Sequence, residues 1–359
     1  MNTMSNISRT AVSRGHFRSR RQRSAPCGDP GRLPLGAPPL PRVDVHRGTD
    51  SGPALLHSLR CFGYVVLTAT AESAEVMARC YDAAARFFSL PLEAKARHGA
   101  GDGVGQAHGY MSYLEDAEGS ECFEAKAHHD QAFVWPATPA SFRASIGNAL
   151  DLLRSTTVTA LRAILAALGQ SVDPLQVLAL LDVDGAGPID TDLATCSHTA
   201  MRVWSYTEGR VSGWHCDNTL LTLGPVGSSP GLQIRTLDGH ECFPEGSMAP
   251  GEAILFAGDA LSYITAGVVP ALMHRVVPSG NRSGSPARLS APFFLRGKRG
   301  AQLRPPSPLP PLSVALLERN PGNLRSAWPW KQGEQTGNYY RGTVWHAAHA
   351  HAHAPECTV

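Results

Sequence analysis

The chain has 359 residues, 43% of them hydrophobic and 17% charged, with a net charge of +2. That composition belongs to a globular protein with room for one large domain or two ordinary ones. It excludes a wholly disordered chain and gives no electrostatic reason to bind nucleic acid. No apolar run approaches the roughly 18 uninterrupted residues of a membrane span. The eight cysteines are scattered and form no C-x-x-C pair, which argues against zinc ribbons and thioredoxin-like chemistry. A chain of this size needs no disulfide staples and shows no secretory apolar segment, so the expectation is mostly reduced thiols and an intracellular protein.

In chain order, residues 1–40 read as a basic leader and a Pro/Gly-rich linker. Arg9, Arg14, Arg18, Arg20, Arg21 and Arg23 sit among Ser and Thr with no acidic residue before Cys27. Either an organellar transit peptide or a disordered basic arm has that composition. Residues 41–190 read as a helical region. It opens with a strand-like run, Tyr64 to Leu67, followed by a helix with Val76, Met77, Cys80, Tyr81, Ala84 and Phe88 at helical spacing. A long helix is expected from about Ser141 to Leu168, with Ile146, Leu150, Leu153, Leu161, Ile164, Leu165 and Leu168 on its apolar face.

Residues 191–300 change pattern. Short apolar runs alternate with turn residues: Met201–Tyr206, Leu220–Leu223, Gly231–Ile234, Ala253–Phe256, Leu261–Ile264, His274–Val277 and Leu289–Leu295. Many short strands with regular turns predict a sandwich or barrel. Helices first and strands second predict an α+β arrangement. Residues 301–359 form a Pro-rich, aromatic and His-rich extension. Its alternating His346, His349, His351 and His353 bind transition metals adventitiously at most.

The chemistry lies in the β half. Trp214-His215-Cys216-Asp217 holds an H-x-D pair, and side chains two apart on a strand share a face. One imidazole and one carboxylate then reach a single ion, and a third ligand from a distant strand completes a facial triad suited to Fe(II) with open positions. An isolated H-x-D is a weak signal, because most such pairs are surface or turn residues.

The order of residues around it strengthens the signal. Met273-His274-Arg275-Val276-Val277 lies downstream, followed by Arg288-Leu289-Ser290. Leu220-Leu221-Thr222-Leu223, Gly231-Leu232-Gln233-Ile234, Pro250-Gly251 and Gly258-Asp259 stand between. In front come Leu40 to Val45, Phe62-Gly63-Tyr64, and Phe87 to Pro91 with Glu93 and Lys95. With these matches, roughly residues 40 to 298 resemble the isopenicillin-N-synthase-like branch of the Fe(II)/2-oxoglutarate-dependent dioxygenases.

The resemblance implies a double-stranded β-helix (jelly-roll) core with an N-terminal helical layer. It implies His215, Asp217 and His274 as iron ligands and catalytic centre. Arg288, Ser290 and Tyr206 would bind 2-oxoglutarate, with dioxygen as co-substrate and ascorbate as a reductant. The activity implied is oxidation of a small organic substrate, hydroxylation by default, coupled to decarboxylation of 2-oxoglutarate to succinate and carbon dioxide. An Fe(II) oxidase of the same fold that does without 2-oxoglutarate, and a non-catalytic ligand-binding protein, remain as alternatives. The expected partner is a small molecule alone, with no nucleic acid or membrane, and the expected state a monomer. Because no Asp or Glu lies on the Leu289–Leu295 run, the expected partner of Arg288 is a ligand carboxylate gripped through two parallel hydrogen bonds.

The pattern departs from the family in places. Thr207 follows Tyr206 where Pro is usual, Trp204 stands where a small amide-bearing residue is common, and the loop between His274 and Arg288 is long. Cys216 replaces a frequent Thr and reads as a small core residue. Thr222 and Gln233 read equally well as pocket or strand-surface residues. His128, His129, His198 and His240 read as loop or core residues, and the glycines from Gly99 to Gly105 as a loop, which the resemblance places near the substrate mouth, where a lid would lie.

Overall fold

A computed structural model of the chain describes residues 40–99, 109–113, 119–126, 135–181, 199–206, 213–277, 287–298, 300–306 and 312–313. The leader, His128, His129, His198, most of the Gly-rich loop, the loop before Arg288 and the His-rich tail lie outside these residues.

The described chain begins with strand β1 (Arg42–Val43), helix α1 (Gly52–Phe62) and strand β2 (Tyr64–Leu67). Gly63 ends α1 with a positive φ of 84° and returns its N–H to the Leu59 carbonyl at 3.1 Å. A side chain would strain that left-handed turn. Helix α2 (Ala71–Phe88) starts at a capping box, where Thr70 and Ser73 exchange side-chain-to-backbone hydrogen bonds of 2.9 and 3.0 Å. Short α3 (Leu92–Ala96), strands β3 (Gly109–Tyr113) and β4 (Ser120–Lys126), helix α4 (Phe142–Leu168) and short α5 (Pro174–Leu178) complete the first half.

The second half supplies β5 (Ala200–Tyr206), β6 (Leu221–Pro225), β7 (Leu232–Arg235), β8 (Glu241–Cys242) and β9 (Ala253–Ala257). Helix α6 (Asp259–Ile264) and strands β10 (Met273–Val276), β11 (Arg288–Ser290), β12 (Phe293–Leu295), β13 (Gln302–Leu303) and β14 (Leu312–Ser313) follow. The major sheet runs β1-β2-β9-β6-β12-β5-β4-β3, with β11 also paired to β5. A minor sheet runs β10-β7-β8. The architecture is the expected α+β double-stranded β-helix with an N-terminal helical layer.

The strand period of two sorts side chains between two cores. Val65, Leu67, Leu221, Leu223, Leu255, Phe293 and Leu295 join the helices in one large cluster. Their alternates Tyr64, Val66, Ile254 and Phe256 pack instead with Ile234 and Leu272 between the sheets. Helix α4 lies against α1, α2 and strands β6 and β12. By length and composition it is the one described helix that passes for a membrane span, yet half of it is buried inside the fold. Its packing makes it a core helix.

Three expectations about elements change. Besides the expected β2, strands β3 and β4 also precede the long helix, and β4 pairs with β5 in the major sheet. Leu261–Ile264 is the end of α6 and not a strand; the N–H groups of Asp259 and Ala260 donate to the carbonyls of Asp217 and Thr219 at 2.7 and 3.1 Å. A run this short carries no period that distinguishes the two. Leu289–Leu295 is broken at Ala291-Pro292 into β11 and β12, and the Pro292 carbonyl accepts from the Arg202 N–H. Cys80, Cys122, Cys216 and Cys242 are free thiols, while Cys61 is disulfide-bonded, an exception to the reduced reading.

Candidate metal centre and co-substrate pocket

The H-x-D segment runs past β10, where His215 and His274 form a two-way backbone bridge with N–H to O distances of 3.0 and 2.9 Å. That bridge links the segment before β6 to the minor sheet and brings ligands 59 residues apart in sequence to one point. One ligand atom each from His215, Asp217 and His274 lies within 4.8 Å of the others, the one such cluster of three among the described residues. The Nε2 atoms of His215 and His274 stand 3.7 and 3.8 Å from the two carboxylate oxygens of Asp217.

The surroundings orient all three side chains. Nδ1 of His215 faces the Gly213 carbonyl at 2.8 Å, and Nδ1 of His274 faces the Leu272 carbonyl at 3.2 Å. With Nδ1–H donating to these carbonyls, each Nε2 keeps its lone pair for the shared point. Thr222 on β6 donates its hydroxyl to Asp217 Oδ2 at 2.6 Å and meets the Thr219 hydroxyl at 2.9 Å. Burial pushes the Asp217 carboxyl up, but His274, His215 and the Thr222 hydrogen bond outweigh it and hold it below the usual carboxylate range. Phe256 packs on His274 with ring centroids 4.8 Å apart.

Alternation settles Cys216. Its thiol points away from the cluster toward the Ala271 carbonyl at 3.9 Å, in a small core with Ala271 and Met273. Trp214 is sandwiched between the guanidiniums of Arg235 and Arg275, at 4.4 and 4.5 Å from its ring centre. Gln233 sits in the same outer group, accepting from Arg275 and donating to Glu241, and has no place in the pocket. Thr222 does. His240 is exposed beside Asp238, outside the site.

The cluster opens into a cavity of about 200 Å³ that also holds Tyr206, Trp204, Arg202, Phe294, Arg296, Glu245, Arg288 and Ser290. Register aligns its far end: Arg288 opposes Tyr206 and Ser290 opposes Trp204 across β11 and β5. Burial pushes the Tyr206 phenol up to about 12, with Arg288 and Ser290 pulling the other way, so it remains a protonated donor. Trp204 stacks on Tyr206 with centroids 5.8 Å apart and an interplanar angle of 19°. Arg288 lies over the Tyr206 ring at 5.4 Å.

Arg288 corrects the sequence expectation. Its side chain is 3% exposed and already carries a protein carboxylate: Nη2 donates to both oxygens of Glu245, at 2.9 and 3.0 Å. Nε donates to the Ser229 carbonyl at 3.0 Å. The absence of acids on its own strand concealed a partner 43 residues away, on the turn Pro244–Ser247. One donor is left over. Nη1 of Arg288 is buried without a partner, the one such side-chain atom among the described residues.

The fold is a jelly-roll, and within it three side chains converge as a cluster able to hold one metal ion. Residues 199–297 match the 2OG-Fe(II) oxygenase superfamily. Among solved structures, the chain is similar to a full-length Neurospora crassa protein in complex with alpha-KG, at 19% identity and a TM-score of 0.63 over 79% of this chain and 95% of that one. It is also similar to JOX2 in complex with 2OG, Fe and JA, at 17% identity and a TM-score of 0.62 over 81% and 91% of the chains. A third likeness is to the rice dioxygenase for auxin oxidation, at 18% identity and 0.59 over 80% and 95%. No curated protein sequence matches the chain. The family match thus falls on the β half that carries the His-Asp-His cluster, and the solved structures share the fold, in keeping with the isopenicillin-N-synthase-like resemblance.

Proposed function

We propose that His215, Asp217 and His274 hold Fe(II), that Arg288, Ser290 and Tyr206 hold the far carboxylate of 2-oxoglutarate, and that the enzyme oxidises a small organic substrate, by hydroxylation as the default. The observation that carries this reading is the unpartnered, buried Nη1 of Arg288 in the same cavity as the His-Asp-His cluster. A buried guanidinium donor without an acceptor costs folding free energy, and an incoming carboxylate oxygen removes that cost. Two imidazole nitrogens and one carboxylate suit Fe(II) and leave coordination positions for two further ligands.

Iron held there by His215, Asp217 and His274 would supply the oxidising chemistry that couples decarboxylation of 2-oxoglutarate, to succinate and carbon dioxide, with oxidation of the substrate. The chain's own residues do the positioning. Thr222 fixes one oxygen of Asp217, leaving the other to turn toward the metal point. The Gly213 and Leu272 carbonyls fix the tautomers of the two imidazoles. Tyr206 and Ser290, on the same cavity wall as Arg288, would add hydroxyl donors, so that the co-substrate is aligned from its far end. Trp204, Phe294, Arg202 and Arg296 line the remaining wall, where the substrate would rest.

The test is succinate formation by the purified chain with Fe(II), ascorbate and 2-oxoglutarate. Asp217→Ala should abolish it while the circular dichroism spectrum is kept. Oxygen uptake indifferent to 2-oxoglutarate would favour an oxidase in which Arg288 and Ser290 hold the substrate itself. Wild-type turnover in Asp217→Ala would remove the ligand assignment.

A further inference from the structure

Glu245 is an unusual resident for the anion-binding end of a pocket. Its carboxylate is 3% exposed and receives five hydrogen bonds: two from Arg288 Nη2 and three from the backbone N–H groups of Gly227, Gly231 and Leu232, at 3.0, 2.7 and 2.7 Å. So many donors fix its position and prevent it from swinging aside. The surrounding chain is shaped to the pair. A Cβ on Gly231 would lie 2.4 Å from Arg288 Nε, and one on Gly227 would lie 3.1 Å from Nη2 and 3.2 Å from Glu245 Oε1.

This arrangement fixes the charge of the site before any ligand enters. Arg288 and Glu245 sum to zero. A co-substrate with a second carboxylate therefore brings a net negative charge into a buried place, where it meets one guanidinium nitrogen and the hydroxyls of Ser290 and Tyr206. A 2-oxo acid whose far end is uncharged gives up the contact with Nη1 but leaves no cation unbalanced, because Glu245 already balances it.

We propose that Glu245 is a specificity-determining residue of the co-substrate site: a resident carboxylate that balances Arg288 and relaxes the demand for a second carboxylate, so that 2-oxo acids with an uncharged far end substitute for 2-oxoglutarate. The proposal rests on the reading of this cavity as the 2-oxo acid site. The reaction balances in the same way for either co-substrate. R–CO–COOH and dioxygen give R–COOH and carbon dioxide, and the remaining oxygen atom passes to the substrate. Glu245 touches Arg288 and not the reacting atoms, so it acts by positioning and by charge.

Binding tests this without turnover. The full chain loaded with Mn(II) is titrated calorimetrically with 2-oxoglutarate and with 2-oxopentanoate, which carries a methyl in place of the far carboxylate. The wild type should prefer 2-oxoglutarate by less than about tenfold, the discrimination expected from one shared donor rather than a bidentate ion pair. In Glu245→Gln the preference should widen by about tenfold or more, with the change falling on 2-oxoglutarate. A wild-type preference above that limit, or a ratio unmoved in Glu245→Gln, overturns the proposal. The wild-type ratio alone decides the matter if the variant does not fold. Failure of both acids to bind would instead remove the co-substrate site itself.

Discussion

Replacing Thr222 with Val removes one hydroxyl and almost no volume, at a point where its consequence can be worked out. Thr222 lies on β6 between Phe256 of β9 and Phe294 of β12, register partners that hold the strand whatever its side chain. The residue is 1% exposed, and its hydroxyl donates to Asp217 Oδ2 at 2.6 Å. A hydrogen bond to a charged group contributes about 1.5–3 kcal/mol. At roughly 1.4 kcal/mol per tenfold, its loss should weaken metal binding by about 10- to 150-fold, in the range typical of partners that orient a metal ligand. Anaerobic Fe(II) titration, in a chain with the His346–His353 tract replaced by alanine, measures this. Affinity for 2-oxoglutarate at saturating metal should not move, because Thr222 makes no contact with Arg288. Thr222→Ser should restore most of the metal affinity. A Thr222→Val protein that is folded and binds Fe(II) as tightly as the wild type would show that Asp217 does not depend on this support, and the geometric argument for the centre would fail.

Arg288→Lys keeps a cation near Glu245 but loses the Nη1 donor, so the apparent KM for 2-oxoglutarate should rise by about one order of magnitude or more while Fe(II) affinity holds; steady-state kinetics at varied co-substrate would show it. Gly231→Ala places a methyl group 2.4 Å from Arg288 Nε and should shift KM in the same direction. An unchanged KM would mean that the guanidinium relaxes freely. Lys95→Met breaks a buried ion pair in which Nζ donates to Glu121 at 2.6 Å, and it leaves that carboxylate to the Tyr110 hydroxyl. Urea unfolding should register a loss of about 3–5 kcal/mol, and metal binding should be unaffected.

Sequence reasoning reaches the His-Asp-His cluster because its signal is local and periodic. His215 and Asp217 share a face by the period of two, although their segment lies outside the named strands and pairs with β10 through the His215 bridge, and the same alternation turns Cys216 into the opposite core. Arg288 and Ser290 are legible for the same reason. Their registers against Tyr206 and Trp204 are not, since cross-strand pairing depends on the fold and not on spacing. Glu245 is invisible for a sharper reason. It sits in Pro244-Glu245-Gly246-Ser247, a turn whose composition suggests a solvated carboxylate, and only the approach of Gly227 and Gly231 encloses it. Helix α6 reads as a strand because six residues hold less than two helical turns, and its start is determined by carbonyls of the metal-binding segment.

Strand β5 shows how one cavity would serve a metal, an anion and an apolar substrate wall on the proposed function. Its buried side, Met201, Val203 and Ser205, faces the helices or the sheet interior, and its other side presents Arg202, Trp204 and Tyr206 in a row. Each of the three has a different cross-strand neighbour. Tyr206 faces Arg288 and Ser120, Trp204 faces Ser290 and Cys122, and Arg202 faces Glu124. The row therefore grades from a phenol donor at the co-substrate end, through a flat aromatic surface, to a guanidinium that pairs with Glu124 and lies over the Phe294 ring at 5.6 Å. The Arg288 end is closed by an ion pair that is complete except for one nitrogen, whereas at the opposite end Arg202 is more exposed. On the proposed function, selection of the co-substrate would depend on rigid, buried charges, and selection of the substrate on a wall that substitutions at Arg202, Trp204 or Phe294 would reshape without disturbing His215, Asp217 and His274. Such a division lets substrate range change across a fold while its oxidising centre stays the same.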